Sequence, residues 1–107
     1  MPDHVERDFE WDEQKSDRAF TRHGFDFKFA SRVFANENYL EDADDRRDYG
    51  ERRYVVVGIV EGIFVTVVYT SRKSRKRMVS IWQSSRKERD EYARAFGYKE
   101  SWPSRLD

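Results

Sequence analysis

The stretch Tyr54-Val55-Val56-Val57-Gly58-Ile59-Val60-Glu61-Gly62-Ile63-Phe64-Val65-Thr66-Val67-Val68-Tyr69 decides the fold. β-Branched and aromatic residues fill both halves, and such side chains pack well on a pleated surface. Glu61-Gly62 separates the halves by the two residues of a tight hairpin turn. Both faces of each run are apolar, so the two strands are predicted to be central, with helices over at least one face. Gly58, Glu61 and Gly62 also interrupt the stretch well short of the roughly 20 apolar residues of a membrane span, so a soluble protein without a membrane partner is expected.

Working outward, the basic block Arg72-Lys73-Ser74-Arg75-Lys76-Arg77 leads to a third strand, Met78 to Gln83, that extends the hairpin into a meander. Ser85-Arg86-Lys87-Glu88 matches the capping box and predicts a helix through about Phe96, which Gly97 can end. The tail from Lys99 to Asp107, containing Pro103, is expected to be ragged. Upstream, Phe9-Glu10-Trp11 alternates like a short edge strand. Asp12 is placed to cap a helix through about Arg22, closed by His23-Gly24. Asp26 caps a second, whose Phe27, Ala30, Val33 and Phe34 share one buried face as far as Ala35. Glu37 to Glu51, with seven acidic residues against two arginines, reads as mostly exposed strand or loop. His4 falls in a terminus expected to be flexible. The order gives an α+β class: two N-terminal helices, an antiparallel β-sheet meander and a C-terminal helix. One domain spans 1–107, with its core at about 9–97 and ragged extensions at both ends.

The 107 residues are 39% charged and only 37% hydrophobic, a balance that borders on disorder, but 16% aromatic content supplies the area for a ring-built core. Lys+Arg and Asp+Glu number 21 each, yet residues 1–61 sum to −6 and residues 62–107 to +6. The basic half is expected to attract polyanions or an acidic partner segment. With no cysteine there is no disulfide framework or thiolate zinc site. No secretory signal is visible, so a cytoplasmic location is expected.

No Gly-rich phosphate loop, H-E-x-x-H or nucleophile elbow occurs. With His4 and His23 the only histidines, no metal site or other cofactor is expected. Arginines, lysines, carboxylates and one interior histidine are nevertheless sufficient for RNA cleavage without a metal. In that reaction the substrate's own 2′-hydroxyl attacks the adjacent phosphate. The protein need only help a proton leave, neutralise the phosphate and protonate the departing oxygen. Arginine suits the middle task because its planar fork donates two hydrogen bonds to phosphate oxygens.

Trp11-Asp12-x-x-Lys15, Arg22-His23-Gly24, Phe27 and Ala30, Glu51-Arg52 before a strand containing Gly58, Val67-Val68, Arg77-x-x-Ser80 and Arg86-x-Glu88-Arg89-x-x-Tyr92 follow one another in order. This series resembles the BrnT family of bacterial type II toxins over about residues 9 to 92. The resemblance implies a RelE-like ribonuclease fold and an endoribonuclease that inhibits translation. It also implies neutralisation by a BrnA-like antitoxin with a ribbon-helix-helix domain, through which alone DNA is contacted. Three departures accompany it: Trp82 stands where the family has a second arginine, Ala19 where it has asparagine, and Lys28-Phe29 where it has acidic residues.

The expected catalytic residues are Arg77 and Arg52 on the phosphate, Glu51 as base or orienting group, and His23 or Lys15 as proton donor or charge. Arg77 is placed just ahead of the third strand, exposed and projecting toward a cleft. Arg72, Lys73, Arg75, Lys76 and Arg86 are expected to bind RNA. Structural roles compete: core packing for Trp11 and Trp82, helix capping for Asp12, and a surface ion pair between Glu51 and Arg52. The alternative function is an RNA-binding or antitoxin-binding protein on the same fold that has lost turnover.

Overall fold

In a computed structural model, which describes residues 3–46 and 48–97, the chain opens with two short antiparallel strands, β1 (Asp3–Val5) and β2 (Phe9–Asp12). Asp12 ends β2 and caps α1 (Glu13–His23), its Oδ1 accepting the Gln14 and Lys15 N–H groups at 2.8 and 3.2 Å. Gly24 closes the helix with the left-handed φ of 85° that favours glycine. Asp26 caps α2 (Phe27–Ser31), which a 3₁₀ turn, Arg32–Ala35, continues. Then come β3 (Leu40–Ala43), β4 (Tyr54–Val60), β5 (Ile63–Arg72) and β6 (Arg75–Gln83). α3 (Arg86–Phe96) begins with both arms of the capping box formed between Ser85 and Glu88.

The class is α+β, but the sheet is not the antiparallel meander expected. Its order is β1-β2-β6-β5-β4-β3, and β2 runs parallel to β6, with Phe9 opposite Lys76 and Glu10 opposite Arg77. A pairing between residues so distant in sequence leaves no local periodicity to read. Three further corrections accompany it. The Phe9–Trp11 strand is internal, because His4, expected to be flexible, lies in β1 and covers the outer side of β2. The third strand starts at Arg75 rather than Met78, so most of the basic block is strand. Only Lys73 and Ser74 form the turn, both with positive φ (52° and 72°), the geometry already seen at Glu61 and Gly62 (48° and 81°).

α1 and α2 cover one face. Beneath them Trp11, Phe27, Ala30, Val33, Val56, Val65, Val67 and Met78 form the buried core. Gly58 is needed there, since a Cβ on it would lie 2.4 Å from Val33 Cγ2. Rings extend the core along the sheet, Phe34 packing edge-on against both Tyr39 and Tyr69 at 5.4 Å. On the other face α3 covers only one end: Tyr92 meets Phe64 at 5.6 Å, and Glu88 accepts from the buried Thr66 hydroxyl at 3.1 Å. The segment after β3 crosses beside it, and the Arg46 guanidinium lies 5.6 Å from the Trp82 ring. Val57, Val68 and Thr70 on that face are buried as well. Among the described residues no helix is long and apolar enough to cross a membrane. The ragged tail expected at Lys99–Asp107 lies outside the described residues.

Candidate active site

A cleft of about 180 Å³ opens where β5 and β6 meet the start of α1. Its position follows from a bulge. Val68 pairs with Ser80 and Tyr69 with Met78, leaving Val79 as an extra residue in β6. The freed Val79 carbonyl accepts from Lys15 Nζ at 3.1 Å, which draws the lysine over the strand.

The alternation of strand side chains brings Thr70 and Arg72 of β5 and Arg77 of β6 to the same cleft. Arg77 is not exposed ahead of the strand as expected. It lies inside β6, its side chain 17% exposed, with Nη1 donating to Glu10 at 2.9 Å and both Nη atoms donating to Asp3 at 3.0 Å. The two carboxylates raise its pKa further, the Asp3 hydrogen bonds contributing most, and Arg77 in turn holds Asp3 below the usual carboxylate range. Glu10 is buried and also lies 3.7 Å from Arg72.

The third wall comes from the segment entering β4. Thr70 Oγ1 donates to the Arg52 carbonyl at 2.7 Å, pinning this segment to β5. Glu51 and Arg53 then point together into the cleft, paired at 3.0 Å. The expected Glu51–Arg52 ion pair is replaced by this one. Arg52 turns instead toward the neighbouring depression, lined by Asp44, Asp45 and Asp48. Asp44 is buried and held below the ordinary aspartate range by Arg46, which grips both of its oxygens at 2.8 Å.

Of the five expected catalytic side chains, Lys15, Glu51 and Arg77 therefore share the cleft, while Arg52 and His23 do not line it. His23 faces a larger groove between α1 and β6, its ring 6.2 Å from Phe25. Burial and then the Arg22 charge push its pKa below the usual histidine value, favouring the neutral ring. Of the expected RNA-binding residues, Arg72 lines the cleft, while Lys73 and Arg86 are exposed at the β5–β6 turn and the start of α3. Arg75 Nε donates to the Glu6 carbonyl at 2.6 Å. Lys76 lies on the opposite face, about 5 Å from the Phe34 and Tyr69 rings. Trp82 is half-buried and donates its indole N–H to Glu88 at 3.1 Å. Among the described residues no three His, Asp or Glu side chains gather so as to hold a metal ion.

The family model of BrnT, the ribonuclease toxin of a type II toxin–antitoxin system, matches residues 11–88, well over half of the chain. The chain belongs to the BrnT family. A comparison with curated proteins finds no match. The matched span carries Lys15, Glu51, Arg53, Thr70, Arg72 and Arg77, so every side chain of the cleft named above lies within the toxin family's own sequence. Membership makes this a ribonuclease toxin with RNA as its target and an antitoxin as its partner. Arg53, Thr70 and Glu10 went unnoticed in the sequence. Glu10 had a signal, a lone carboxylate in an otherwise apolar triplet, which can be buried only opposite a cation.

Proposed function

We propose that this BrnT-family toxin cleaves RNA without a metal, on a RelE-like fold, in the cleft between Lys15, Glu51 and Arg77. The observation that carries the proposal is the convergence of two carboxylates, the helix-capping Asp12 and Glu51, with four cations, Lys15, Arg53, Arg72 and Arg77, at the β6 bulge. Glu51 accepts the proton of the substrate's 2′-hydroxyl, whose oxygen attacks the adjacent phosphorus. Arg77 and Arg72 neutralise the phosphate, and Arg53, paired with Glu51 at 3.0 Å, aims it. The bond to the 5′-oxygen breaks, and Lys15 supplies the proton that oxygen takes up, leaving a 2′,3′-cyclic phosphate and a 5′-hydroxyl. Cleavage in the cytoplasm blocks translation, and a BrnA-like ribbon-helix-helix antitoxin neutralises the toxin and alone contacts DNA.

The test is incubation of purified toxin with RNA in EDTA, with identification of the new ends. Cyclic phosphate ends are expected, and 2′-O-methyl RNA is expected to survive. Removing a general base typically costs 10²–10⁴-fold, so Glu51→Gln is expected to lower cleavage by at least about 100-fold. Cleavage that needs a divalent ion, or that Glu51→Gln leaves intact, defeats the mechanism. A second reading, binding without turnover, is favoured by one observation: both forks of Arg77 are already taken by Asp3 and Glu10. It predicts RNA binding with no cleavage and no growth arrest when the toxin is expressed without its antitoxin.

A further inference from the structure

We infer that the groove between α1 and β6 is a track for single-stranded RNA leading away from the cleft, with Arg18 and Arg22 as its phosphate-binding residues. The inference rests on reading the cleft as an RNA site, and it adds a binding surface that the cleavage chemistry does not require. The groove holds about 590 Å³ and is floored by Val79, Ser80 and Ile81 of β6. Lys15 and Val79 line both this groove and the cleft, so the two adjoin.

Lys15, Arg18 and Arg22 stand at i, i+3 and i+7 of α1, which places them on one stripe of the helix. At 1.5 Å per residue the stripe extends about 10 Å along the axis. A stacked strand advances about 3.4 Å per phosphate, so this length faces about three phosphates. The charge here is also uncommitted. Among the described residues, Arg32, Arg46, Arg53, Arg72, Arg77 and Lys28 are each paired with a carboxylate, whereas no carboxylate pairs with Arg18 or Arg22. Asp17 is the only acidic side chain lining the groove. Both arginines are exposed, so their ordering by a phosphate displaces only water and counterions. Burial and then the Arg22 charge lower the pKa of His23 in the groove, so the groove's cationic character comes from the lysine and the arginines.

The test is the affinity of the purified full chain for 2′-O-methyl RNA, which cannot be cleaved, measured by fluorescence anisotropy across a salt series. An eight-nucleotide probe and a dinucleotide are compared for the native toxin and for the Arg18→Gln/Arg22→Gln variant. Each phosphate contact to a single strand contributes about 0.7 to the slope of log K against log salt. The variant is expected to lose about 1.4 of that slope and at least tenfold in affinity for the long probe, with a much smaller loss for the dinucleotide. A thermal melt confirms folding, and Arg18→Lys/Arg22→Lys is expected to recover the slope. An unchanged slope in a folded Gln variant overturns the track. Unchanged RNA binding with weakened capture of a polyglutamate peptide also overturns it and assigns the groove to an acidic protein segment. The binding assay is independent of turnover: a lost slope with no cleavage by native toxin upholds the track while refuting the cleavage mechanism.

Discussion

Arg77→Ala is expected to unfold the toxin more readily, and the effect comes from Glu10 rather than from Arg77 itself. The Glu10 side chain is 10% exposed and accepts from Arg77 Nη1 at 2.9 Å. Removing one partner of a buried ion pair typically costs about 3–5 kcal/mol, because the other charge stays buried and unpaired. Arg72, 3.7 Å away, remains to screen Glu10, so we set the expected loss at about 2–3 kcal/mol, below that range. For a domain of this size each kcal/mol lowers Tm by about 4–8 °C, giving a fall of about 8–24 °C. Glu10→Gln in the Arg77→Ala background removes the stranded charge, so the double variant is expected to be more stable than Arg77→Ala alone by at least about 1 kcal/mol. Thermal and urea denaturation of the four proteins in this cycle measure the coupling. A single variant within about 0.5 kcal/mol of the native protein, which is the ordinary range for a surface residue, refutes the reasoning. Cleavage by Arg77→Ala has meaning only at temperatures where it remains folded.

Three further outcomes are expected. Asp3→Asn frees part of the Arg77 fork, so affinity for inorganic phosphate, followed by titration at low salt, rises; an unchanged affinity removes Arg77 from the phosphate site. His23 is held neutral below its ordinary pKa of about 6.5, so as pH falls through that value the unfolded chain gains a proton the folded one resists. Stability then falls. His23→Gln should flatten that limb of the Tm–pH curve while leaving the cleavage rate above pH 6.5 unaltered, and a large loss of rate there restores His23 as a proton donor. Gly58→Ala drives a methyl into Val33 in a core with no space to yield and is expected to cost about 1–3 kcal/mol, read by urea denaturation; full stability would show that the β4–helix contact is loose.

The elements legible in the sequence are those fixed by contacts within a few residues. Asp12, Asp26 and Ser85 cap the helices they were expected to cap, and Glu61-Gly62 turns the hairpin. The parallel pairing of β2 with β6 was not legible because its partners are more than 60 residues apart. Strand β1 is three residues, Asp-His-Val, with no periodicity of its own, held by β2, by His4 stacking 4.5 Å from Trp11 and by Asp3 on Arg77. Arg75 to Arg77 become strand through pairing with β5, against the turn-like composition of a charged run. The site was partly legible. Lys15, Glu51 and Arg77 were selected and line one cleft, but Arg53 was passed over for Arg52. The segment before β4 belongs to no strand or helix, so no periodicity told which of the two arginines pairs with Glu51.

The charge asymmetry also changes meaning on folding. Along the chain the second half carries a surplus of +6, which suggests a basic surface there for RNA or an acidic antitoxin segment. The sheet instead sets β6 and β5 beside the acidic β1 and β2, where Arg77 meets Asp3 and Glu10 and Arg72 approaches Glu10. Lys76 is spent on aromatic rings and Arg75 on a carbonyl. Much of the basic block is thereby committed to holding the N-terminal strands in place. The cations of the groove beside β6, Arg18 and Arg22, are uncommitted and belong to α1, in the half that is acidic by sequence. Sequence net charge sums over residues that folding then neutralises pairwise, whereas a polyanion responds to the charges left unpaired. For this toxin that distinction sets the exposed stripe of α1, along with the β5–β6 turn, where no described carboxylate pairs with Lys73, among the surfaces a polyanion would meet.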